Sequence, residues 1–439
     1  MLTQEYIFSS TRPTPSEITE HDSLIRDVLA GAVRMKNNAT QYVRKPDGMD
    51  NARWAQYLRG AHFSNIALAT LHTWLGLADR KPHQIETDGL TIPFRLGHLM
   101  LDEQHLVAHA IANVFSLGRV AYFADPANGI VSYGPSDEVE IVYDSGKLTK
   151  VVFQEEDDKR LDLAMVDDIA QYQWSNNEGV GDGYRALLVN GKPLDYLPVV
   201  FINAMDLDRH RSLSPLFEIA CLSIKAWDLA LSQAHALWYT ANPQPCVFGV
   251  SNETEIPKSM GPATVWTFSN PDAKAQLLTY QGDGLTDRAK EMLRLDMQMA
   301  ALGANVVLSK GNSAHTVAKT AELRSRESAA DLVFVLENIS DGLTIILRHW
   351  AELNGKSPNK VFVKCNCDLV DQTMGADMIR ALNEARRDGL LSFTTMINIL
   401  KAGEILPANL DPEDERERVN SDDTTILGED QALEKIDAV

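Results

Sequence analysis

No stretch of this chain approaches the ~18 uninterrupted apolar residues that a membrane-spanning helix needs, so no transmembrane helix is expected. The amino terminus, MLTQEYIFSSTRPTPSE, has no basic head ahead of an apolar core and does not read as a secretory signal. Cysteine is scarce: the spacing of Cys221, Cys246, Cys365 and Cys367 gives neither a disulfide framework nor a zinc knuckle, and a reducing cytoplasm is the simplest compartment. Positive charge is also in deficit, with 41 bases against 61 acids and a formal net charge of -20. A protein that grips nucleic acid by its phosphates needs the opposite balance, because Lys and Arg displace the counterions. Residues 411–439 alone hold 11 acids and 3 bases and read as a solvated acidic tail, while the rest of the deficit is spread through the body. Tight, general DNA binding is not expected; weak contact with DNA inside an acidic passage is compatible with this balance.

The usual signatures of catalysis are missing as well. There is no HExxH, no Gly-x-Ser-x-Gly elbow, no pattern uniting Ser, His and an acid, and no distinctive carboxylate pair. Gly355-Lys356-Ser357 resembles the end of a phosphate-binding loop, yet Trp350 stands where the first glycine belongs and the tripeptide follows a helix. An enzyme is therefore not expected. The one alternative with chemistry in it is a metal-dependent enzyme: His98, Asp102, His105 and His109 fall at intervals of four, three and four, a continuous helix would align them on one face, and imidazole with carboxylate can bind a divalent metal. No cofactor is implied otherwise.

What the chain does have is ordinary globular composition, 44% hydrophobic and 23% charged, over 439 residues, enough for two or three structural regions. From Leu332 the apolar residues recur as Leu332, Val335/Leu336, Ile339, Leu343, Ile346/Leu347, Trp350 and Leu353, the spacing of one buried helical face. Gly355, Lys356 and Pro358 end that helix. Begun near Lys319 it would be roughly 50 Å long at about 1.5 Å per residue, and Gly342 within it could mark a bend.

Before this helix the periods change in order. Helices are expected over Ser23–Met35, Asn51–Leu77 and Leu99–Leu117, then strands over Val120–Phe123, Val139–Tyr143, Leu148–Phe153, Tyr184–Val189 and Leu197–Ile202, with Asp144-Ser145-Gly146-Lys147 and Asn190-Gly191 as turns. Ser214-Pro215 opens a helix rich in small residues that Asn242-Pro243-Gln244-Pro245 stops near Ala241. Strands follow over Cys246–Val250, Thr264–Phe268 and Gln276–Tyr280, then a helix over Thr286–Leu302 and the loop Asn305–Thr316. On local sequence that loop reads as an ordinary helix connection. Beyond Gly355 come a strand over Val361–Val370, with Cys365 and Cys367 on its buried side, and helices over Ala376–Arg387 and Thr394–Ala402.

This order, with Leu197-Pro198-Val199-Val200-Phe201-Ile202, Pro243-Gln244-Pro245, Met299-Ala300-Ala301-Leu302-Gly303-Ala304 and Thr320-Ala321-Glu322 before Ser328, resembles portal proteins of tailed bacteriophages, in a branch often known only as a domain of unknown function. The resemblance covers about Asn51 to Gly403. It implies an α+β, portal-like fold: an arm (1–20), an α/β wing (21–212), a first stem helix (213–242), a β-rich clip (243–283), a second stem helix (284–303), a tunnel loop (304–318), a long wing helix (319–355), a strand with crown helices (356–403) and an acidic tail (404–439). It further implies a homo-oligomeric ring, typically of twelve subunits, at one capsid vertex of the virion, assembled in the bacterial host cytoplasm. Double-stranded DNA would pass through it. The partners implied are the large terminase, head–tail adaptors, and the major capsid and scaffold proteins. Lys310, Asn312, His315 and Lys319 would line the constriction, and Val247, Phe248, Trp266 and Phe268 would belong to the partner-binding clip. A helical scaffold with no DNA role is the remaining alternative.

Overall fold

The computed structural model describes residues 15–96, 99–155, 159–176, 183–207, 211–242, 244–250, 256, 265–278, 284–304, 318–369, 376–402, 405–407 and 410–418. The chain is of the α+β class and divides into two units, Met1–Leu369 and Val370–Val439.

The helices of the amino-terminal region are more numerous than periodicity predicts, and the breaks fall at a glycine of positive φ and at polar caps. Helix α1 (Pro15–Ala30) starts well before the expected Ser23, and Gly31, at φ +90°, separates it from α2 (Ala32–Asn37) and α3 (Ala39–Tyr42). Asp27, 5% exposed, fixes the turn by accepting hydrogen bonds from Arg34 Nε (2.8 Å), Asn38 Nδ2 (2.5 Å) and Tyr42 Oη (2.8 Å). The single helix expected over Asn51–Leu77 is two, α4 (Asn51–Tyr57) and α5 (Ile66–Ala78). Asp50 caps the first through Arg53 N at 2.7 Å, and Asn65 the second through Leu68 N at 3.0 Å. A side chain that takes an N-terminal amide starts a new helix where the apolar pattern alone would run on.

Two five-stranded sheets follow. β1 (Gln84–Glu86), β2 (Phe94–Leu96) and β3 (Leu99–Leu101) precede α6 (Glu103–Leu117). The first sheet has the order β13 (Val199–Asn203), β4 (Arg119–Asp125), β5 (Gly129–Tyr133), β2, β3. The second is an antiparallel meander of β6 (Glu138–Asp144), β7 (Lys147–Gln154), β8 (Lys159–Val166), β9 (Ile169–Asn176) and β10 (Arg185–Ala186). A small hairpin, β11 (Leu188–Val189) and β12 (Lys192–Pro193), turns at the expected Asn190-Gly191. Strand β4 is buried on both faces, because side chains alternate across a strand and each face has a core. Val120, Tyr122 and Ala124 join the helical core, whereas Ala121 and Phe123 join Val151, Phe153, Leu161 and Leu163 of the second sheet.

The two layers are also tied by charge. Arg119 is fully buried; its Nε donates to Glu138 Oε1 at 2.8 Å, its Nη1 to Asn203 Oδ1 at 3.2 Å, and its guanidinium lies 4.3 Å from the Phe201 ring centroid. Arg211 extends the network, reaching Glu138 and Asp22 at 3.4 Å each.

Helix α7 (Phe217–Ala241) begins later than predicted, since Ser214 Oγ accepts from Leu216 N at 3.1 Å before the helix opens, and Pro215 precedes the first turn. It is followed by the hairpin β14 (Gln244–Phe248) and β15 (Lys274–Leu278), by α8 (Leu285–Met299) with a π turn over Ala300–Ala304, and by α9 (Ala318–Leu353). The predicted apolar face of α9 is the buried one: Leu332, Val335, Leu336, Ile339, Leu343, Ile346, Leu347 and Trp350 are all in the core, against β13, β4 and β16 (Phe362–Lys364). At about 1.5–3 kcal/mol per fully buried large side chain, this face is a principal source of the unit's stability. β16 is shorter than the predicted Val361–Val370 and pairs antiparallel with β1; Cys365 is buried and Cys367 half-buried beside it.

In the second unit α10 (Ala376–Arg387) and α11 (Phe393–Ala402) match their expected spans within a residue. Ser392 Oγ accepts from Thr395 N at 3.1 Å to start α11. Residues 412–418, within the expected solvated tail, are helical.

Candidate functional site

The metal face anticipated on Leu99–Leu117 does not form. Asp102 caps α6, accepting from His105 N at 3.1 Å and from the His105 ring at 2.6 Å, so the chain upstream is strand and cannot share the helix face. His109 points into the core instead, where its Nδ1 lies 2.9 Å from Tyr122 Oη and burial pushes its pKa down to about 4. His98 lies outside the described residues. Among the described residues no three His, Cys, Asp or Glu side chains gather as a metal site.

Attention therefore falls on α7, the β14–β15 hairpin and α8. The first half of α7 is anchored: Ile219, Ala220, Ile224 and Trp227 are buried, and Phe63 meets Trp227 edge to face at 5.6 Å. Helix α8 packs along it, with Ser223 Oγ 3.7 Å from Met299 Sδ, Arg288 Nη1 donating to Ser232 O at 3.2 Å and Lys225 paired to Glu291 at 3.7 Å. Toward its carboxyl end α7 leaves the core. Leu237, Trp238 and Tyr239 are 48%, 54% and 45% exposed, and on α8 Leu293 and Met297 are 49% and 62% exposed. Both helices thus present apolar side chains to water after their mutual contact is satisfied, which ordinary surface helices avoid.

A groove of about 990 Å³ runs between α4 and the outer end of α7, lined among others by Tyr57, Arg53, Arg59, His235, Trp238 and Tyr239. The His235 ring stands edge-on to Tyr57 at 5.2 Å and to Tyr239 at 4.8 Å. Burial lowers the His235 pKa, and burial followed by the nearby Asp228 carboxylate raises that of Tyr57, with Arg288 opposing. Local patterning missed this groove because its walls come from residues near 57 and near 238. The signal available was indirect: apolar residues on more than one side of α7.

The hairpin pairs Gln244 with Leu278 and Phe248 with Lys274, and Asn270 closes its far end, donating to Gly249 O at 2.8 Å and accepting from Asp272 N at 3.0 Å. Of the predicted clip residues, Val247 and Phe248 lie on β14, Phe248 being 54% exposed. Trp266 and Phe268 are half-buried in 265–268, which is not the strand expected over Thr264–Phe268. Lys310, Asn312 and His315 lie outside the described residues; Lys319 belongs to the first turn of α9, its side chain outside them too.

Comparison with known proteins places a match on this part of the chain. Residues 215–353, from just before α7 to the end of α9, match the family model described as a domain of unknown function, DUF4055. No curated protein matches. Among solved structures the chain is similar to one described as the neck of a native GTA particle computed with C12 symmetry, at 13% identity and a TM-score of 0.39, covering 84% of this chain and 98% of that one.

Proposed function

We propose that this chain is a structural subunit of a phage-like head–tail junction and, more specifically, a portal subunit that forms a ring at one capsid vertex. The observation that carries the reading is the sequence of paired elements α7, β14–β15, α8 and α9. Two adjacent helices carry apolar side chains past their buried contacts, bear a small β hairpin, and return the chain to one long helix whose face from Leu332 to Trp350 is buried. That is the stem, clip and wing order noted in the sequence, and residues 215–353 are the span of the family match. The exposed apolar residues of α7 and α8 support assembly, since burying them between copies recovers free energy that a lone chain forgoes. A ring of identical subunits needs a heterologous contact that closes by rotation.

On this reading the clip meets the large terminase and later the head–tail adaptors, and the wing meets major capsid and scaffold proteins. Double-stranded DNA passes through the centre, with Lys310, Asn312, His315 and Lys319 at the constriction. The net charge of -20 suits passage better than grip, because acidic walls repel phosphates while a few lysines make transient contacts. The subunit itself carries no catalytic role; ATP hydrolysis falls to the terminase. Electron microscopy of the purified chain tests the proposal: end-on rings, twelve-fold in the simplest case, are expected. Monomers or two-fold dimers alone, even at high concentration, would sink it.

A further inference from the structure

The α4–α7 groove and the outward face of α8 are two different surfaces with complementary properties. The groove is concave and aromatic, with Arg53 and Arg59 on its walls against one acid, Asp47. Three of the basic residues on or near it are already matched, Arg34 by Asp27, Arg44 by Asp47 and Arg53 by Asp50, and Arg59 is the wall residue left to answer an acid from outside. The face of α8 is convex. Leu293 and Met297 stand one turn apart on the outward side of α8, 49% and 62% exposed; Asp296 flanks them on one side, and Lys290 and Arg294, matched by Asp287 and Glu291 of the same helix, on the other. Partial burial raises the Asp296 pKa, and neither Asp296 nor Arg59 has an ion-pair partner among the described residues.

We propose that the outward face of α8 in one copy seats in the α4–α7 groove of the next, with Leu293 and Met297 against Tyr57 and Trp238, and Asp296 against Arg59. This assignment rests on the ring reading above and names the two surfaces that ring would join. A second copy is the occupant that the charges and shapes favour. An acidic peptide from another protein would answer the arginines but leave Leu293 and Met297 in water, whereas a second copy covers both patches with one contact. Because the two surfaces are unlike, each copy offers one to either neighbour, and the contact repeats in a single rotational sense until it closes.

The test is a charge swap in the full chain, read by sedimentation velocity and native mass spectrometry. Arg59→Glu and Asp296→Lys each place like charges across the contact and are expected to raise the concentration for half-assembly by about tenfold or more, while the double variant returns to within about threefold of the original chain. Leu293→Ser, at a position exposed in the single chain, should weaken assembly without changing the thermal melt, which covers the case in which Arg59→Glu unfolds. Trp238 supplies an independent reading: the blue shift of tryptophan emission on assembly should shrink in Trp238→Phe. Rings that form equally well in both single charge variants and in Leu293→Ser overturn the docking and leave the ring itself standing. A chain that stays monomeric at every concentration overturns both.

Discussion

Gly342 of α9 faces Ile202 of β13 so closely that a Cβ built on it would lie 2.6 Å from Ile202 Cγ1 and 2.8 Å from its Cδ1, with Leu207 Cδ2 at 3.0 Å. The long helix reaches the sheet because that position has no side chain. The close approach of Ile202 accounts for a glycine in the middle of the long helix.

Gly342→Ala sets two effects against each other. Helix propensity favours alanine by about 1 kcal/mol, while overpacking a filled core costs about 1–3 kcal/mol. With contacts this short the second should win, giving a net loss of up to about 2 kcal/mol in urea unfolding. Ile202→Ala removes both clashing atoms, so the double variant should be more stable than the sum of the two single effects predicts. A plain gain of stability from Gly342→Ala would show that β13 yields easily.

Asp27 gives the amino-terminal helices an acid-sensitive joint. Burial pushes its carboxyl upward, but hydrogen bonds from Arg34, Asn38 and Tyr42 outweigh burial and hold the folded pKa below the usual carboxylate value. A lowered folded pKa contributes stability that is complete above the unfolded value, about 3.9, and fades as pH falls through the lower folded one. Asp27→Asn should therefore cost about 1–3 kcal/mol at neutral pH, and the difference from the original chain should narrow below pH ~4. Equal differences at pH 7 and pH 3 in denaturant titrations would contradict this.

Arg119 and Glu138 form a buried pair, with side chains 0% and 4% exposed. Removing one partner strands a charge, and Glu138→Ala should lose about 3–5 kcal/mol. Replacing both, as Arg119→Leu with Glu138→Leu, should recover a large part of that loss, because the desolvation cost disappears with the charges. Calorimetric melting of the three variants distinguishes a pair that stabilises the fold from one that only has to be complete.

The legible parts of this fold are those whose causes are local. One-sided burial made α9 readable from Leu332 to Leu353, and Asp144-Ser145-Gly146 and Asn190-Gly191 placed two hairpin turns, with Ser145, Gly146, Asn190 and Gly191 all at positive φ. What misled was a local polar contact overriding a longer apolar pattern: Asn65 and Asp102 each start a helix within a run that periodicity joins. The groove was not legible, since Arg59 and Trp238 are neighbours only after α4 and α7 have packed. Gly342 was visible as an oddity, but its reason lay in Ile202, far away in sequence.

The constriction proposed at Lys310, Asn312, His315 and Lys319 is tested by function rather than by folding. Two lysines in an acidic passage would hold DNA only weakly, because each phosphate contact exchanges with salt. Lys310→Ala with Lys319→Ala should therefore leave the melting temperature and the ring unchanged and alter the amount of DNA packaged or retained by assembled particles. The change should diminish at high ionic strength, where the contacts are already screened. Loss of folding in the double variant would make the lysines structural. Normal rings with normal packaging would instead favour a helical scaffold whose loop never meets DNA.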